Sequence, residues 1–243
     1  MMLRRSIIAL LVAVPLAAQS VDPPIAIFDG TKGRAQGKIV INNPTLYPLA
    51  FVLEPKRFIV ACGGDVAFGE IDTAHVHLRL SAMSGRLGAR QHATIFYEVR
   101  VDSLPAWFAI VAGFSAARPE PGLSVRVEIP HIVYLMQRER VTAADVAITT
   151  AVYSPTTKQL RVRVENHSAK LTRLSDVIAV SRSGKEYSID ACPLFPNNAR
   201  EFDFAWPESA PPVTLIAKFP DFSIQQAIAI APAAAPGAKL MRR

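Results

Sequence analysis

The stretch from Gly122 to Met136, "GLSVRVEIPHIVYLM", sets Leu123, Val125, Val127 and Ile129 at every second position, with Ser124, Arg126 and Glu128 between them. Period-two alternation sends successive side chains to opposite faces of a strand, so the segment carries one apolar row and one polar row. Pro130 then interrupts it. Proline has no N–H to give a central ladder, which places the segment at a sheet edge or a bulge. An edge strand with large apolar side chains is an aggregation hazard unless it is covered or used, and strand addition to a partner is one such use. The competing reading makes the row ordinary core, as in any half-buried strand.

Working outward, the same period recurs. "GKIVINN" (37–43) ends at Asn43-Pro44, and "LAFVLEP" (49–55) and "FIVAC" (58–62) follow as two further strands before Gly63-Gly64-Asp65. "HVHLRL" (75–80), "ATIFYEVRV" (93–101) and "WFAIVAGF" (107–114), with the Gly122–Met136 stretch, bring the total to about seven or eight strands by residue 138. Short strands separated by Gly, Pro and Asn punctuation predict a β-sandwich. "QRERVTAADV" (137–146) is the most charged and least β-like interval, and the domain boundary falls inside it. A second series follows: "VAITTAVYSP" (146–155), "KQLRVRVENHS" (158–168), a hairpin through Ser183-Gly184, "REFDFAW" (200–206), "VTLIAKF" (213–219) and "QQAIAIA" (225–231) as a last strand. The chain thus reads as all-β, with sandwich domains over 22–139 and 142–231 and a loose Ala/Pro tail over 232–243.

Residues 1–20 place Arg4 and Arg5 before an apolar run from Ile7 to Val14 and then small residues, the order of a secretory signal peptide. That run is shorter than the ~20 residues of a spanning helix, and no later segment qualifies, so the mature chain is expected not to insert into a membrane. The net charge of +7 is scattered rather than clustered, and nucleic-acid binding is not expected. Cys62 and Cys192, the only two cysteines, read as separate thiols; the alternative is a single bridge.

No nucleophile elbow, metalloprotease motif or phosphate loop is present, and the chain is expected to be neither an enzyme nor a cofactor carrier. His75 and His77 share a strand face, the polar side of an amphipathic strand, without further residues at metal-ligand spacing. "NHS" (166–168) fits the glycosylation pattern, but Asn166 follows a strand and reads as a turn residue.

Five segments in order resemble the PapD-like periplasmic chaperones of the chaperone–usher pilus pathway. They are "IAIFDG" (25–30), "GKIVINNPTLYPLAFVLEP" (37–55), "GRLGARQHATIFYEVR" (85–100), "LPAWFAIVAGF" (104–114) and "GLSVRVEIPHIVYLMQR" (122–138). The resemblance implies two immunoglobulin-like β-sandwich domains joined in an L and a periplasmic location. It also implies non-catalytic binding of pilin-like or fimbrial subunits, with delivery to an outer-membrane usher. In that family the last strand of the first domain donates its alternating apolar side chains to a subunit lacking one strand, and here the donors would be Leu123, Val125, Val127 and Ile129. The family also anchors the subunit's terminal carboxylate with an Arg on the first strand and a Lys near the end of the donor strand. Those positions hold Ile25 and the run Ile132 to Tyr134, and the usual acidic residue after Leu-Pro is missing. His131 is the nearest ionisable residue, with Lys32, Arg34 and Arg138 as further anchor candidates. The alternative function is an exported structural or adhesive protein that keeps this fold without chaperone activity.

Overall fold

The alternating segments become strands in the computed structural model, which describes residues 18–116, 126–189 and 191–232. The expected signal segment up to residue 17, the expected donor positions Leu123 and Val125, and the tail from 233 lie outside the described residues. Among the described residues ten strands form from the first series: β1 (Ser20–Asp22), β2 (Ile25–Phe28), β3 (Arg34–Asn42), β4 (Leu49–Val60), β5 (Val66–Glu70), β6 (Val76–Leu80), β7 (Ser84–Leu87), β8 (His92–Val101), β9 (Ala106–Ala116) and β10 (Val127–Leu135). One sheet runs β1-β3-β8-β6 and the other β2-β10-β9-β4-β5, with β7 also paired to β4. Their inner faces meet in a core that includes Ile39, Ile41, Phe51, Leu53, Ile95, Phe108, Ile110, Phe114, Val133 and Leu135.

The segments 49–55 and 58–62, read as two strands, form the single strand β4. Pro55 is tolerated because it falls where one edge of β4 changes partner, between residues 49–52 against β7 and 56–60 against β5. Gly37 stands opposite Tyr97, and a side chain there would overlap the Tyr97 ring. Gly85 does the same for the Phe51 ring. Two large aromatics thereby cover glycine positions of neighbouring strands.

The second series gives β11 (Val146–Ser154), β12 (Gln159–Asn166), β13 (Thr172–Leu174), β14 (Asp176–Ser181), β15 (Glu186–Ser188), β16 (Cys192–Leu194), β17 (Asn198–Ala205), β18 (Pro212–Lys218), β19 (Ser223–Ala227) and β20 (Ala229–Ile230). The sheets run β17-β12-β11-β20 and β15-β14-β18-β19, with β13 and β16 as a separate pair. Gly184, at φ 85°, turns the expected hairpin between β14 and β15. The "QQAIAIA" segment makes two short strands rather than one, since β19 pairs with β18 and β20 crosses to lie parallel to β11. Among the described residues no strand is shared between the sheets built before Leu135 and those built after Val146, and the fold is two immunoglobulin-like β-sandwiches. Between them, Ala143–Asp145 form a short 3₁₀ turn.

Both sandwiches use the same asparagine turn. Asn43, almost fully buried, accepts from the Thr45 backbone N–H at 3.1 Å and donates from Nδ2 to the carbonyls of Tyr47 and Gly88 at 2.8 Å each. Asn166 accepts from the Ser168 N–H at 3.0 Å and donates to the carbonyls of Lys170 at 2.6 Å and Phe195 at 3.1 Å. A buried amide with its donors and acceptor engaged satisfies backbone groups that would otherwise be stranded. It also makes Asn166 a turn organiser with no free side-chain nitrogen for a glycan. Cys62 and Cys192 are unbridged.

β9 has buried residues from Phe108 to Phe114 because both its faces are covered. Phe108, Ile110, Ala112 and Phe114 point into the first core. Trp107, Ala109 and Val111 point outward, where Phe58, Val60, Ile132 and Tyr134 join Leu171 and Phe195 of the second sandwich in a separate apolar cluster. The Phe195 ring lies 4.9 Å from Trp107, 6.0 Å from Phe58 and 6.5 Å from Tyr134, centroid to centroid. Polar contacts flank this seam: the Glu201 N–H donates to Cys62 O at 2.8 Å, Arg200 Nη1 to Ala61 O at 3.2 Å, and the Leu171 N–H to Gln137 Oε1 at 3.1 Å.

Candidate functional site

β10 has two different edges. One is paired along its whole length with β9, from Val127 opposite Phe114 to Leu135 opposite Ala106. The other meets β2 in parallel only from Ile132 onward, opposite Ile25. The Ile132 N–H donates to Pro24 O at 2.8 Å and the Met136 N–H to Phe28 O at 2.9 Å, so even-numbered residues send their backbone groups toward the β2 edge. Pro130, two residues before Ile132, lacks its N–H on that same edge, where no strand pairs with it among the described residues. Proline therefore costs the ladder nothing here, and the Glu128 N–H and C=O and the Pro130 C=O face an open edge.

Side chains divide the same way. Val133 and Leu135 are fully buried in the first core, and Ile129 packs against it half-buried. Val127, on the same face one step nearer the strand's start, is 39% exposed. The row that covers the domain's own core thus reaches its end at Val127, and Val125 and Leu123 share its parity by sequence.

The opposite face of β10 belongs to the outer surface of the sheet. Register sets out its rows: Tyr134 neighbours Ile27 and Trp107; Ile132 neighbours Ile25 and Ala109, with Lys56 beyond Ala109; Pro130 neighbours Val111, with Glu54 beyond; Glu128 neighbours Gly113, with Val52 beyond. Ile25 and Ile27 are 42% and 49% exposed, so the first two rows form an apolar shelf beside the seam with the second sandwich. Of the positions where the family resemblance expects a basic anchor, Ile25 and the run Ile132 to Tyr134, Ile25 and Ile132 are direct register partners. Both are isoleucines.

Charge collects in the rows nearest the open edge. Glu54 Oε1 accepts from Arg126 Nη2 at 2.6 Å, Glu54 Oε2 lies 3.1 Å from Lys56 Nζ, and Arg126 Nε lies 3.0 Å from Glu128 Oε1. The Arg126 hydrogen bond, followed by Lys56, holds the Glu54 carboxyl below its usual range. Arg126 lies across β9 over Gly113, where an added Cβ would sit 2.9 Å from the guanidinium Nε and oblige the side chain to shift. The clasp ties the base of the open-edged segment to β4, two strands away.

Of the anchor candidates, His131 is fully buried and faces the core. Its Nδ1 lies 2.5 Å from Pro23 O, so Nδ1 carries the proton and donates, and Nε2 accepts from the Tyr97 hydroxyl at 3.1 Å. Burial lowers its pKa below the ordinary histidine value, and burial pushes Tyr97 up to about 12. Both ring nitrogens are taken, which leaves none for an incoming carboxylate. Lys32 is exposed in the β2–β3 loop, Arg34 opens β3 on the other sheet, and Arg138 is exposed after β10. The cation in the Ile25–Ile132 row is Lys56, which sequence reading missed because its place depends on β4–β9 register. His75, the residue paired with His77 as a metal candidate, bonds Asp102 Oδ2 at 3.1 Å, and no group of three potential metal-ligating side chains occurs among the described residues. None of their helices is long and apolar enough to cross a membrane.

No protein-family model and no curated protein sequence matches the chain. Solved structures do. The class 5 fimbriae chaperone CfaA matches with a TM-score of 0.53 at 11% identity, over 89% of this chain and 100% of its own. A chain from a chaperone–tip adhesin complex of CFA/I fimbriae biogenesis gives 0.52 at 10%, over 87% and 99%. The YadV chaperone gives 0.52 at 12%, over 86% and 99%. At these identities the likeness is one of fold: the chain has the two-sandwich architecture of the PapD-like fimbrial chaperones.

Proposed function

We propose that this chain is a periplasmic chaperone that binds pilin-like subunits by lending them a strand. The observation that carries the reading is the geometry of β10. Its core-facing row runs out at half-exposed Val127, and among the described residues no strand pairs with the other backbone edge from Glu128 to Pro130. A subunit whose own sheet lacks a strand needs both things at once, backbone groups to complete a ladder and alternating apolar side chains to fill a groove. Leu123, Val125 and Val127 supply the side chains, while Ile129 mainly closes the chaperone's own core. Each apolar side chain of this size, fully buried, is worth about 1.5–3 kcal/mol before ordering costs.

The subunit's terminal carboxylate meets an apolar shelf at Ile25 and Ile132, and the cation nearest that row by register is Lys56. In the free chain Lys56 is paired with Glu54, so an incoming carboxylate exchanges with Glu54 rather than entering an empty site. Subunits held this way pass to an outer-membrane usher. Co-expression with a pilin-like subunit from the same genome tests the reading. Val125→Asp/Val127→Asp lowers subunit affinity by at least about a hundredfold and abolishes co-purification. Unchanged recovery with the variant folded would overturn strand donation and favour a structural or adhesive role for the same fold.

A further inference from the structure

The other sheet of the first sandwich, β1-β3-β8-β6, carries a charge pattern that strand donation does not use. On its outer face Arg34, Arg100 and His77 form one cross-strand row; Gln36, Glu98 and Arg79 form the next; Lys38 and Phe96 are opposite each other in the third. All eight side chains belong to exposed residues. Directly opposed residues have Cβ atoms about 4.5–5.5 Å apart, and like charges at that spacing destabilise the sheet. Glu98, the carboxylate inside these rows, accepts from Gln36 at 2.7 Å. Asp22 lies one row beyond Lys38, opposite Val40, and Asp102 at the far end is taken by His75. Among the described residues Arg34, Lys38, Arg79 and Arg100 make no ion pair.

The second sandwich shows what a balanced face looks like. There the outward arginines of β12 stand opposite carboxylates of β17, Arg161 bonding Asp203 at 3.0 Å and Arg163 bonding Glu201. The first sandwich places arginine opposite arginine. Its face is also recessed, with a groove of about 1020 Å³ lined by Arg34, Gln36, His77, Arg79, Glu98 and Arg100.

We propose that this groove docks an acidic, extended segment of a protein partner, on a face separate from the donor strand. The three strands span roughly 10 Å, the width of an extended chain with its side chains, and successive rows repeat every two residues, about 6.6–6.8 Å. Carboxylates at alternate positions of the segment therefore meet successive guanidinium rows, where forked donors match carboxylate geometry. Phe96, 60% exposed at one end, offers an apolar contact beside them. The concavity and the strand-matched repeat favour a peptide over a flat anionic bilayer.

The test is fluorescence anisotropy with a labelled ten-residue peptide alternating Glu and Ser and ending in Phe, at 50 and 300 mM salt. The wild-type chain is expected to bind saturably at low salt and more weakly at high salt. Arg79→Ser/Arg100→Ser lowers affinity by about tenfold or more. Arg182→Ser, an exposed charge removed from the β14–β15 turn, leaves it unchanged. Should the double variant be less well folded, Arg34→Ser alone is expected to give a loss in the same direction. Equal binding by wild type and the Arg79/Arg100 or Arg34 variant overturns the proposal. So does retention on phosphatidylglycerol vesicles without peptide binding, which assigns the face to lipid headgroups. Recovery of a co-expressed pilin-like subunit stays unchanged in Arg79→Ser/Arg100→Ser, so failure here is distinguishable from failure of strand donation.

Discussion

Phe195→Ala tests how the two sandwiches are joined. Phe195 is 4% exposed, and its ring is within 6.5 Å of Trp107, Phe58 and Tyr134, all from the first sandwich. Truncating a buried Phe to Ala costs about 3–5 kcal/mol, combining lost transfer energy and the cavity left behind. The seam keeps its flanking hydrogen bonds, from the Glu201 N–H to Cys62 O, Arg200 to Ala61 O and the Leu171 N–H to Gln137, but these are worth only about 0.5–1.5 kcal/mol each. For a chain of this size the loss lowers Tm by about 6–20 °C. Calorimetry should show one coupled transition separating into two as the domains lose their contact. Trp107 reports locally: in a Trp206→Phe background it is the remaining tryptophan, and its emission shifts to the red as the cavity admits water. A Tm within 2 °C of the parent with unchanged emission would refute the claim that Phe195 carries the seam.

His131 gives stability a pH dependence. Its pKa is lowered in the fold, so above the ordinary value of about 6.5 both folded and unfolded states are neutral there and its full contribution is present. As pH falls below that value the unfolded chain takes up a proton that the folded chain refuses, and stability drops by up to about 1.4 kcal/mol per pH unit until the folded pKa is reached. His75, raised by Asp102, contributes with the opposite sign, so the comparison of urea unfolding at pH 7.5 and 5.5 belongs in a His75→Gln background. Equal stability at the two pH values would contradict the assigned burial. Gly113→Val displaces the Arg126 guanidinium from β9 and breaks its contact with Glu54. The expected result is faster hydrogen exchange over 126–129 with little change in Tm, and unchanged exchange would count against the clasp.

Period two made the strands of both sandwiches legible, because residues such as Ile39 and Ile41, or Leu160, Val162 and Val164, mark one face directly. What the sequence hid depends on register and on surfaces meeting from far apart. "WFAIVAGF" is apolar on both faces because the second sandwich covers its outer side, a fact that no local pattern contains. Pro55 looked like a break and is not, since only the partner strands reveal the gap it occupies. His131 seemed available as an anchor because it follows the proposed donor row, yet there the row turns into the core and its ring bonds Tyr97 and Pro23, residues distant in the chain. Lys56 and Ile132 come near each other only through β9, and the Arg126 clasp passes over a glycine thirteen residues earlier in the chain. The paired asparagine turns did leave a trace, N-x-Thr at 43–45 and N-x-Ser at 166–168 at the end of a strand in each half.

Amide hydrogen exchange over residues 122–131, with and without a bound pilin-like subunit, bears most directly on strand donation. The N–H groups of Val127, Ile129 and His131 point toward β9, while that of Glu128 points to the open edge. In the free chain Glu128 exchanges fast and its two neighbours slowly. Binding by strand donation predicts strong new protection at Glu128 and at the residues before it, with little change at Ile129 and His131. A stable complex in which Glu128 and 122–126 exchange as fast as in the free chain would contradict the account.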